Sequence, residues 1–339
     1  MRALLVLRSL LVGAAALSLS TGHPAAANPA PARVQTAIFY YPWYGTPDRD
    51  GSYGHWAEGG HSPPYDLASN YYPHRGPYSS SDPAVLRAQM AQIARAGVSE
   101  IVVSWWGWGS PEDLRLSAVY AAARRAGLEV AVHIEPYKGR TAATVEADIA
   151  HLRTLGISDF YVYRPFDTIT VGDWTGLKER LIGVRLFAQT TLVGVAAAAR
   201  FDGIYTYDVL ALDGASFVRL CNQARVAALL CAPSVGPGFD ARRAIGIERT
   251  KARRGGATYD GMWRAALEAR PDLVTITSYN EWEEGTQIEP ARSGPRAAGF
   301  RYDDYSGAWG RSGSNAPGAY LARTAYWTRA LAGSQGASR

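Results

Sequence analysis

Three consecutive stretches decide the fold: SEIVVSWWG (99–107), PEDLRLSAVYAAARRAG (111–127) and EVAVHIEPY (129–137). The first and third are runs of apolar and β-branched residues, which are typical of buried strands. The second opens with Pro, closes with Gly and carries apolar residues at helical spacing, so it predicts a helix. A strand, a helix and a second strand in this order form a parallel βαβ unit.

The same alternation continues along the rest of the chain. We expect further strands at 34–43, 159–165, 185–192, 202–208, 228–236 and 273–281, and further helices at 82–97, 141–156, 193–200, 214–225, 258–269 and 317–333. Eight strands alternating with helices predict one α/β domain, a single (β/α)8 barrel of the TIM type. An open doubly wound sheet is the competing architecture, but no G-x-G-x-x-G follows the first strand. The Gly-, Pro- and Tyr-rich segment 44–81 is then a long first βα loop.

The first 27 residues are typical of a secretory signal peptide rather than of a folded domain. They have a basic start at Arg2 and Arg8, an apolar centre and a small-residue end at 25–27. The apolar run is short for a membrane span, which makes an uncleaved anchor the less favoured alternative. We therefore predict a signal peptide at 1–27, a mature domain at 28–339, and secretion to the outside of the cell or the cell envelope.

Charge and cysteine content restrict the classes of function. The formal net charge of +5 falls to +3 without Arg2 and Arg8, and the basic residues are scattered apart from a short cluster at 251–254. This distribution does not favour nucleic acid, which requires a concentrated basic stripe. Cys221 and Cys231 could form a disulfide in an exported chain or pack in the core as thiols, and the sequence leaves both readings open.

Acidic and aromatic side chains gather at the predicted C-terminal ends of the strands, where barrel enzymes carry their chemistry. The last strand runs into SYNEWEEGTQIEP (278–290), which places Glu281 and Glu284 three residues apart. Paired carboxyl groups are the usual apparatus of glycoside hydrolysis, because neighbouring acids separate each other's pKa values. The 10 Trp and 20 Tyr residues suit a carbohydrate, whose apolar C–H faces lie against aromatic rings.

Each of these features also has an ordinary structural explanation. Trp and Tyr clusters are commonly core packing, Glu283 or Glu289 could cap a helix, and His133 on a strand is commonly a core residue. Three histidines share the loop 44–81, but their spacing fits no zinc motif, and no G-x-S-x-G, H-E-x-x-H or P-loop occurs. We therefore expect neither a metal nor a cofactor.

With these motifs in view, the chain resembles glycoside hydrolase family 99, the endo-α-mannosidase and endo-α-mannanase family. TSYNEWEEGTQIEPA (277–291) is similar to the family's N-E-W-H-E-G-T-Q-I-E hallmark. Further matches are FYYPWYG (39–45), DGSYGHW (50–56), SNYYPHRGPYSSSDP (69–83), SWWG (104–107), HIEPY (133–137), DGIYTY (202–207) and PSVGPGF (233–239). This collinear set covers nearly all of the mature chain and is far more specific than a lone N-E-W.

The resemblance implies a (β/α)8 fold, no metal, and endo-cleavage of an α-mannoside with retention of configuration. Glu281 matches a base that deprotonates the substrate's own 2-hydroxyl, which gives a 1,2-anhydro sugar intermediate. Glu284 matches the acid that protonates the leaving oxygen and later activates water. The other site residues that we assign, all substrate-binding, are Tyr44, His55, Trp105, Trp106, Glu135, Tyr205, Arg243 and Asn280.

The chain departs from the family pattern in three places. The hallmark His between the two acids is Glu283 here. After PSVGPGF the chain reads DARRAIG (240–246) rather than continuing toward Arg-Pro-Trp-Asn, so that only Arg243 corresponds, and this region is slightly short. These changes leave the reaction chemistry intact and put the identity of the sugar in question.

The sequence thus predicts a secreted, monomeric glycoside hydrolase that cleaves internal bonds of an α-mannan or another mannose-containing glycan. Its partner is an oligo- or polysaccharide, with no nucleic acid and no membrane span. Three alternatives remain: the same fold and chemistry on a different α-glycan, a catalytically silent carbohydrate-binding protein, and a metal-dependent hydrolase.

Overall fold

Nine parallel strands form the centre of the molecule in the computed structural model, which describes residues 35–294 and 296–336. The predicted signal peptide lies outside the described residues. The strands are β1 Gln35–Tyr40, β2 Glu100–Trp105, β3 Glu129–Ile134, β4 Asp159–Val162, β5 Arg185–Gln189, β6 Gly203–Tyr205, β7 Leu230–Ala232, β8 Ser234–Val235 and β9 Leu273–Ile276.

The strands follow one another around a barrel in the order β7-β6-β5-β4-β3-β2-β1-β9-β8. At the two ends of this order, β7 pairs with β6 and β8 pairs with β9, and only Pro233 separates β7 from β8. Because Pro cannot donate a ladder hydrogen bond, it divides the predicted strand at 228–236 into two short pieces. The ring closes through the segment 230–235, which confirms the predicted (β/α)8 barrel.

Helices follow the barrel strands and surround them. They are α1 Pro47–Asp50, α2 Pro83–Arg95, α3 Pro111–Arg125, α4 Ala142–Arg153, α5 Val171–Arg180, α6 Val193–Ala198, α7 Phe217–Val226, α8 Arg242–Ile245, α9 Ala257–Glu268 and α10 Ala319–Gly336. Between β9 and α10 lies a small antiparallel hairpin, β10 Arg296–Ala297 with β11 Phe300–Arg301. Within the described ranges, every helix falls short of the length and apolar character that a membrane crossing requires.

The sequence pattern does not predict helix α5. Gly172 and Gly176 lower its helical propensity, and its apolar positions are few. The helix forms because Thr170 and Asp173 make a reciprocal capping box at its start. Trp174 and Leu177 are fully buried against the barrel, so tertiary packing outweighs the unfavourable propensity.

Buried side chains form two layers because successive residues of a strand point to opposite faces of the sheet. The inner layer fills the barrel with Ala37, Phe39, Tyr41, Val102, Ala131, Tyr161, Phe187, Tyr205, Tyr207, Ala232 and Leu273. The larger outer layer lies between the sheet and the helices. The barrel interior is therefore a packed aromatic core. Chemistry is confined to the end of the barrel where the C-terminal ends of the strands lie, which we call its upper end.

The long first βα loop packs over that upper end, as its predicted role requires. Its Trp56 and Tyr78 are buried, and the Trp56 indole N–H donates to the Tyr78 carbonyl at 2.9 Å. The His74 backbone N–H donates to the Pro290 carbonyl at 2.8 Å. This loop therefore lies against the segment that follows β9.

The two cysteines form a disulfide that joins α7 to β7. Cys221 and Cys231 are ten positions apart and both are buried. This structure resolves the alternative that the sequence left open.

We expect removal of this cross-link to destabilise the protein modestly. Closing so short a loop restricts the unfolded chain by about 2–3 kcal/mol, and in a domain of this size that corresponds to a fall in Tm of about 5 °C. Thermal unfolding of the Cys221→Ala/Cys231→Ala variant measures the effect. Treatment with a reductant should lower the Tm of the wild type but not that of the variant, and equal Tm values in the two untreated proteins would contradict the expectation.

Candidate active site

The three acids of the predicted site and one further acid, Asp208, follow the C-terminal ends of three barrel strands. Glu135 comes directly after β3, Asp208 follows β6, and Glu281 and Glu284 follow β9. Because all strands are parallel, these ends meet at one rim of the barrel.

Asn280 joins the segment after β9 to the end of β1. Its side-chain oxygen accepts from the Tyr41 backbone N–H at 2.8 Å, and its amide nitrogen donates to the Tyr41 carbonyl at 2.9 Å. The Tyr44 hydroxyl donates to the Asn280 carbonyl at 2.9 Å and accepts from the Trp282 N–H at 3.0 Å. Tyr44 and Asn280, both fully buried, therefore hold the backbone on either side of Glu281.

Glu281 is a buried carboxyl group that accepts a backbone hydrogen bond at the rim. One side-chain oxygen accepts from the Glu283 backbone N–H at 3.1 Å, and the Ser278 hydroxyl accepts from the N–H of Glu281 itself at 2.8 Å. Burial raises the pKa of Glu281 well above its ordinary value, and the charges of Glu283 and Glu284 add to the rise. The backbone N–H groups of Glu283 and Glu284 oppose this shift.

Glu284 lies in a more negative environment and is partly accessible to solvent. Burial raises the pKa of Glu284 to about 8, and the nearby carboxylates of Asp208, Glu135 and Glu283 contribute to that value. A carboxyl group with such a pKa holds its proton at neutral pH, so it can donate that proton to a leaving group.

Two tyrosines at the top of the barrel show that these acids share one region. Tyr41 and Tyr207 are hydrogen-bonded to each other through their hydroxyls. Burial raises the pKa of both phenols, and the charges of Glu135, Glu281 and Glu284 raise it further in each case. The three carboxyl groups therefore surround the same pair of neutral hydroxyl groups.

Glu135 is positioned by side chains from inside the barrel. One of its oxygens accepts from the Ser104 hydroxyl at 2.8 Å and lies 2.9 Å from Nδ1 of His133. Nε2 of His133 lies 2.7 Å from the Tyr205 hydroxyl. His133 is thus a core residue, as expected, and it links Tyr205 to Glu135.

Glu283, which stands where the family hallmark has His, pairs with an imidazole from the first loop. One of its oxygens lies 3.0 Å from Nδ1 of His55, whose ring stacks on Trp43 at 4.3 Å and 9°. Burial raises the pKa of Glu283, and the hydrogen bond from His55 opposes the rise. Ligand atoms of His55, Glu283 and the exposed Glu58 lie within 4.8 Å of one another, a spacing that a metal ion could bridge.

Glu289 has a structural role. Its carboxylate accepts from the Tyr78 hydroxyl at 2.7 Å, from the Gln89 amide at 2.9 Å and from the Trp282 indole at 3.0 Å, and Arg75 lies 3.6 Å away. In the described part of the chain no helix begins at Glu283 or Glu289, so neither acid is a helix cap. Glu289 instead anchors the loop after β9 to the first loop and to α2.

Not every predicted binding residue lies with the carboxyl groups. Trp105 is fully buried in the outer layer, where its indole N–H donates to Asp113 at 2.9 Å, while the next residue, Trp106, is 39% exposed at the rim. Arg243 binds Asp66 and the Leu67 carbonyl and lies 3.7 Å above the Phe300 ring. The structure therefore brings Trp106 to the rim and gives the side chains of Trp105 and Arg243 contacts elsewhere.

Three residues at the predicted strand ends adjoin the acids but are not among the site residues that we assigned from the sequence: Tyr41, Tyr207 and Asp208. Their signal was present, since Tyr41 ends the first predicted strand region and DGIYTYD (202–208) ends in Tyr-Asp. Asp208 also accepts the backbone N–H groups of Leu210 and Ala211 at 2.9 and 3.0 Å, which fixes its carboxylate at the rim.

Comparisons with known proteins agree with this geometry. The sequence model of glycosyl hydrolase family 99 matches residues 32–166 and 177–333. The mouse glycoprotein endo-alpha-1,2-mannosidase-like protein is 35% identical over 79% of this chain and 73% of its own length, and the Xenopus laevis glycoprotein endo-alpha-1,2-mannosidase is 32% identical over 88% and 77%.

Solved structures lead to the same family. Two structures of the GH99 endo-alpha-mannosidase from Bacteroides thetaiotaomicron superpose with TM-scores of 0.80 and 0.79. They are 30% identical to this chain and cover 90% of it and 99% of their own length. The chain therefore belongs to glycosyl hydrolase family 99 and is a glycoside hydrolase.

Proposed function

We propose that this protein is a secreted, retaining endo-α-glycosidase that hydrolyses internal α-mannosidic bonds in mannan or mannose-containing glycans. The observation that carries the proposal is the pair Glu281 and Glu284 at the rim of the barrel, in a chain of family 99. Their hydrogen-bonding environments differ, as an acid and a base in one site require.

The two groups share one buried, negatively charged region, and burial raises the pKa of both. Two nearby buried carboxyl groups do not ionise independently, so the pair loses its protons in two separate steps. Backbone N–H groups favour the charged form of Glu281. Glu284, surrounded by Asp208, Glu135 and Glu283, keeps its proton up to about pH 8. The match to the family hallmark, in which the first acid is the base and the second the proton donor, assigns Glu281 as the base and Glu284 as the acid.

In the first step, the Glu281 carboxylate removes the proton of the sugar's 2-hydroxyl, and that oxygen attacks the anomeric carbon. The glycosidic C–O bond breaks, and Glu284 gives its proton to the departing oxygen. The product of this step is a 1,2-anhydro sugar, so the route belongs with the substrate-assisted exceptions to a glycosyl-enzyme ester.

In the second step, the Glu284 carboxylate takes a proton from water, and the water oxygen attacks the anomeric carbon. The bond between the anomeric carbon and the 2-oxygen breaks, and Glu281 returns its proton to that oxygen. Two inversions at one carbon give net retention, and both acids end in their starting protonation states.

The names of the relatives support an α-mannosidic substrate, and the pair of Glu283 with His55 argues for testing a wider range. A carboxylate at this position adds an acceptor and a negative charge next to Glu281. The same chemistry on another α-glycan is therefore the second candidate. Secretion is proposed from the build of residues 1–27, and a monomer remains our expectation.

We expect purified protein to release oligosaccharides from at least one member of a panel of α-linked mannans, glucosylated mannosides and α-glucans. NMR of the first product should show the α configuration, and an initial β product would exclude retention. Glu281→Gln and Glu284→Gln should each lower turnover by at least about 10³-fold, because each removes a proton-transfer group. A silent carbohydrate-binding protein would bind the panel without releasing reducing ends.

A chelator provides the control for the metal-dependent alternative. Since the proposed steps use only Glu281 and Glu284, EDTA should leave the rate unchanged. Loss of activity with EDTA and recovery with a divalent ion would instead implicate the cluster of His55, Glu58 and Glu283.

The pH profile of kcat/KM should be bell-shaped. Glu284 acts while protonated, so activity should fall as pH rises through about 8. Glu281 acts while ionised, so activity should also fall at low pH, with a midpoint above the ordinary Glu range because burial and neighbouring charge raise its pKa. Glu283→Gln removes one of the charges that raise both pKa values and should therefore move both limbs to lower pH.

Glu58→Gln is the matched control for that shift. Glu58 is an exposed acid of the same cluster, and its charge raises the pKa of Glu283. The charge of Glu58 is not among the principal causes of the raised pKa values of Glu281 and Glu284. Both limbs should therefore stay in place in Glu58→Gln, and an equal shift in the two variants would contradict the assignment.

A further inference from the structure

Arg253 lies between α8 and α9, and its guanidinium group is enclosed by aromatic rings. The carbon at the centre of the guanidinium lies 4.6 Å from the centroid of Tyr71, 4.9 Å from that of Tyr305 and 4.6 Å from that of Tyr320. The ion pairs among the described residues do not include Arg253. Its positive charge therefore lies among ring faces and carbonyl oxygens, and it also opposes the rise that burial causes in the pKa of the nearby Asp303.

Those carbonyl oxygens belong to the loop that carries Glu284. One terminal nitrogen of Arg253 donates to the Gly285 carbonyl at 2.9 Å and to the Gln287 carbonyl at 2.6 Å. The backbone N–H of Asp240 donates to the carbonyl of Glu284 at 2.7 Å. Three carbonyl groups within four residues are thus held by one neighbouring segment.

The backbone of that segment is shaped to bring Arg253 close. Phe239 and Lys251 exchange backbone hydrogen bonds at 2.9 and 2.8 Å, which pairs 238–240 with 250–252 and places Arg253 directly after the paired stretch. A Cβ at Gly238 would lie 2.6 Å from the Lys251 carbonyl and 2.9 Å from the Arg253 side chain, so a larger residue does not fit. Gly285 has a φ of +63°, which allows the turn that presents its carbonyl.

We propose that Arg253 is a positioning residue, which sets the location of the Glu284 carboxyl group relative to Glu281 by holding the turn 284–287. The inference rests on the proposed function, because it assigns Arg253 to the geometry of that acid–base pair. Displacement of a catalytic group by about 1 Å can lower a rate by about 10²-fold. A turn whose carbonyl groups lose their cationic donor is free to make such a displacement.

The chemistry of the site calls for an arginine. A buried cation is costly, and replacing it by an apolar residue is often neutral or favourable for stability alone. The planar guanidinium stacks on aromatic faces and presents several donors in one plane, whereas an ammonium is a strongly hydrated point charge. The three tyrosine rings and the two carbonyl groups around residue 253 suit a planar guanidinium. They would leave the ammonium of a lysine poorly solvated.

The test measures kinetics and chemical rescue in Arg253→Ala and Arg253→Lys. We expect kcat to fall by about 10²-fold with KM changed by no more than about twofold, because the sugar-binding residues remain in place. Methylguanidinium at millimolar concentration should restore part of the kcat of Arg253→Ala, and methylammonium should not. The alkaline limb of the pH profile should also move, since a displaced Glu284 has a different environment.

Two further variants separate positioning from folding. Arg323→Ala removes another arginine that lies over aromatic rings, at 4.2 Å from Tyr326, and that binds Asp260 rather than the catalytic loop. It should lower Tm and leave kcat unchanged. Tyr305→Phe keeps the aromatic ring beside Arg253 but removes the one hydroxyl donor that lies 3.2 Å from the Gln287 carbonyl and 3.0 Å from the Glu289 carbonyl. The Tyr305→Phe variant should remain folded and have a lower kcat. It therefore still tests the positioning of the turn if Arg253→Ala fails to fold.

The outcomes distinguish the two proposals. A wild-type protein without activity on the whole glycan panel would overturn the proposed function. An active wild type together with an unchanged kcat in Arg253→Ala or in a folded Tyr305→Phe would overturn the positioning role alone. The positioning role would also be overturned if kcat fell equally in Arg253→Ala and Arg323→Ala. The same holds if methylammonium restored the kcat of Arg253→Ala as well as methylguanidinium does.

Discussion

The two hydrogen bonds between the Asn280 side chain and the Tyr41 backbone are the constraint on which the acidic rim depends. Strands β1 and β9 pair only as far as Ile38 and Ile276. Beyond that point the Tyr279 N–H still donates to the Phe39 carbonyl at 2.9 Å, and the chain then turns to form the rim. A carboxamide carries both a donor and an acceptor, so Asn280 satisfies the N–H and the carbonyl of Tyr41 together. The turn is thereby tied to the barrel at the residue before Glu281.

With the backbone held in this way, the rim can bury several acids and still assign them different roles. Glu289 accepts hydrogen bonds from three side chains and has Arg75 nearby, so its burial is compensated and stabilises the loop. Glu281 and Glu284 lack a comparable set of donors and face other carboxyl groups. Uncompensated burial is unfavourable for folding, but it raises a pKa into the range that proton transfer requires. The acids therefore differ in the donors that the fold supplies to them.

Much of this arrangement could be predicted from the sequence because it depends on order along the chain. The alternation of apolar runs and helical stretches predicted the barrel, and parallel strands then bring Glu135, Asp208 and Glu281 to one rim. What could not be predicted is the direction of each side chain. Trp105 and Trp106 are neighbours in the same motif, yet one lies in the outer layer and the other at the rim. A motif gives the position of a residue in the chain, whereas the direction in which its side chain points depends on strand register and packing.

The partners of the loop residues escaped prediction for a related reason. Tyr44 and Asn280 belong to motifs that suggest sugar contacts, but their polar atoms hold the backbone around Glu281. Arg253 belongs to no motif that we identified, and its contacts with 285 and 287 cross more than 30 positions of sequence. Hydrogen bonds between residues so far apart in the chain form only once the loops have folded, so no local sequence pattern predicts them.

Under the proposed function, the acid at position 283 links substrate recognition to proton transfer at this rim. The backbone N–H of Glu283 stabilises the Glu281 carboxylate, while its side-chain charge opposes ionisation of both Glu281 and Glu284. The stacked pair of His55 and Trp43 holds that side chain at a fixed place, since the imidazole is itself confined against the indole. A change of residue here cannot alter contacts with a sugar alone, because the same charge acts on the two acids through a poorly solvated region. Specificity at this position is therefore bound to the acid–base chemistry, and any sugar that contacts Glu283 also changes the electrostatic environment in which its own bond is broken.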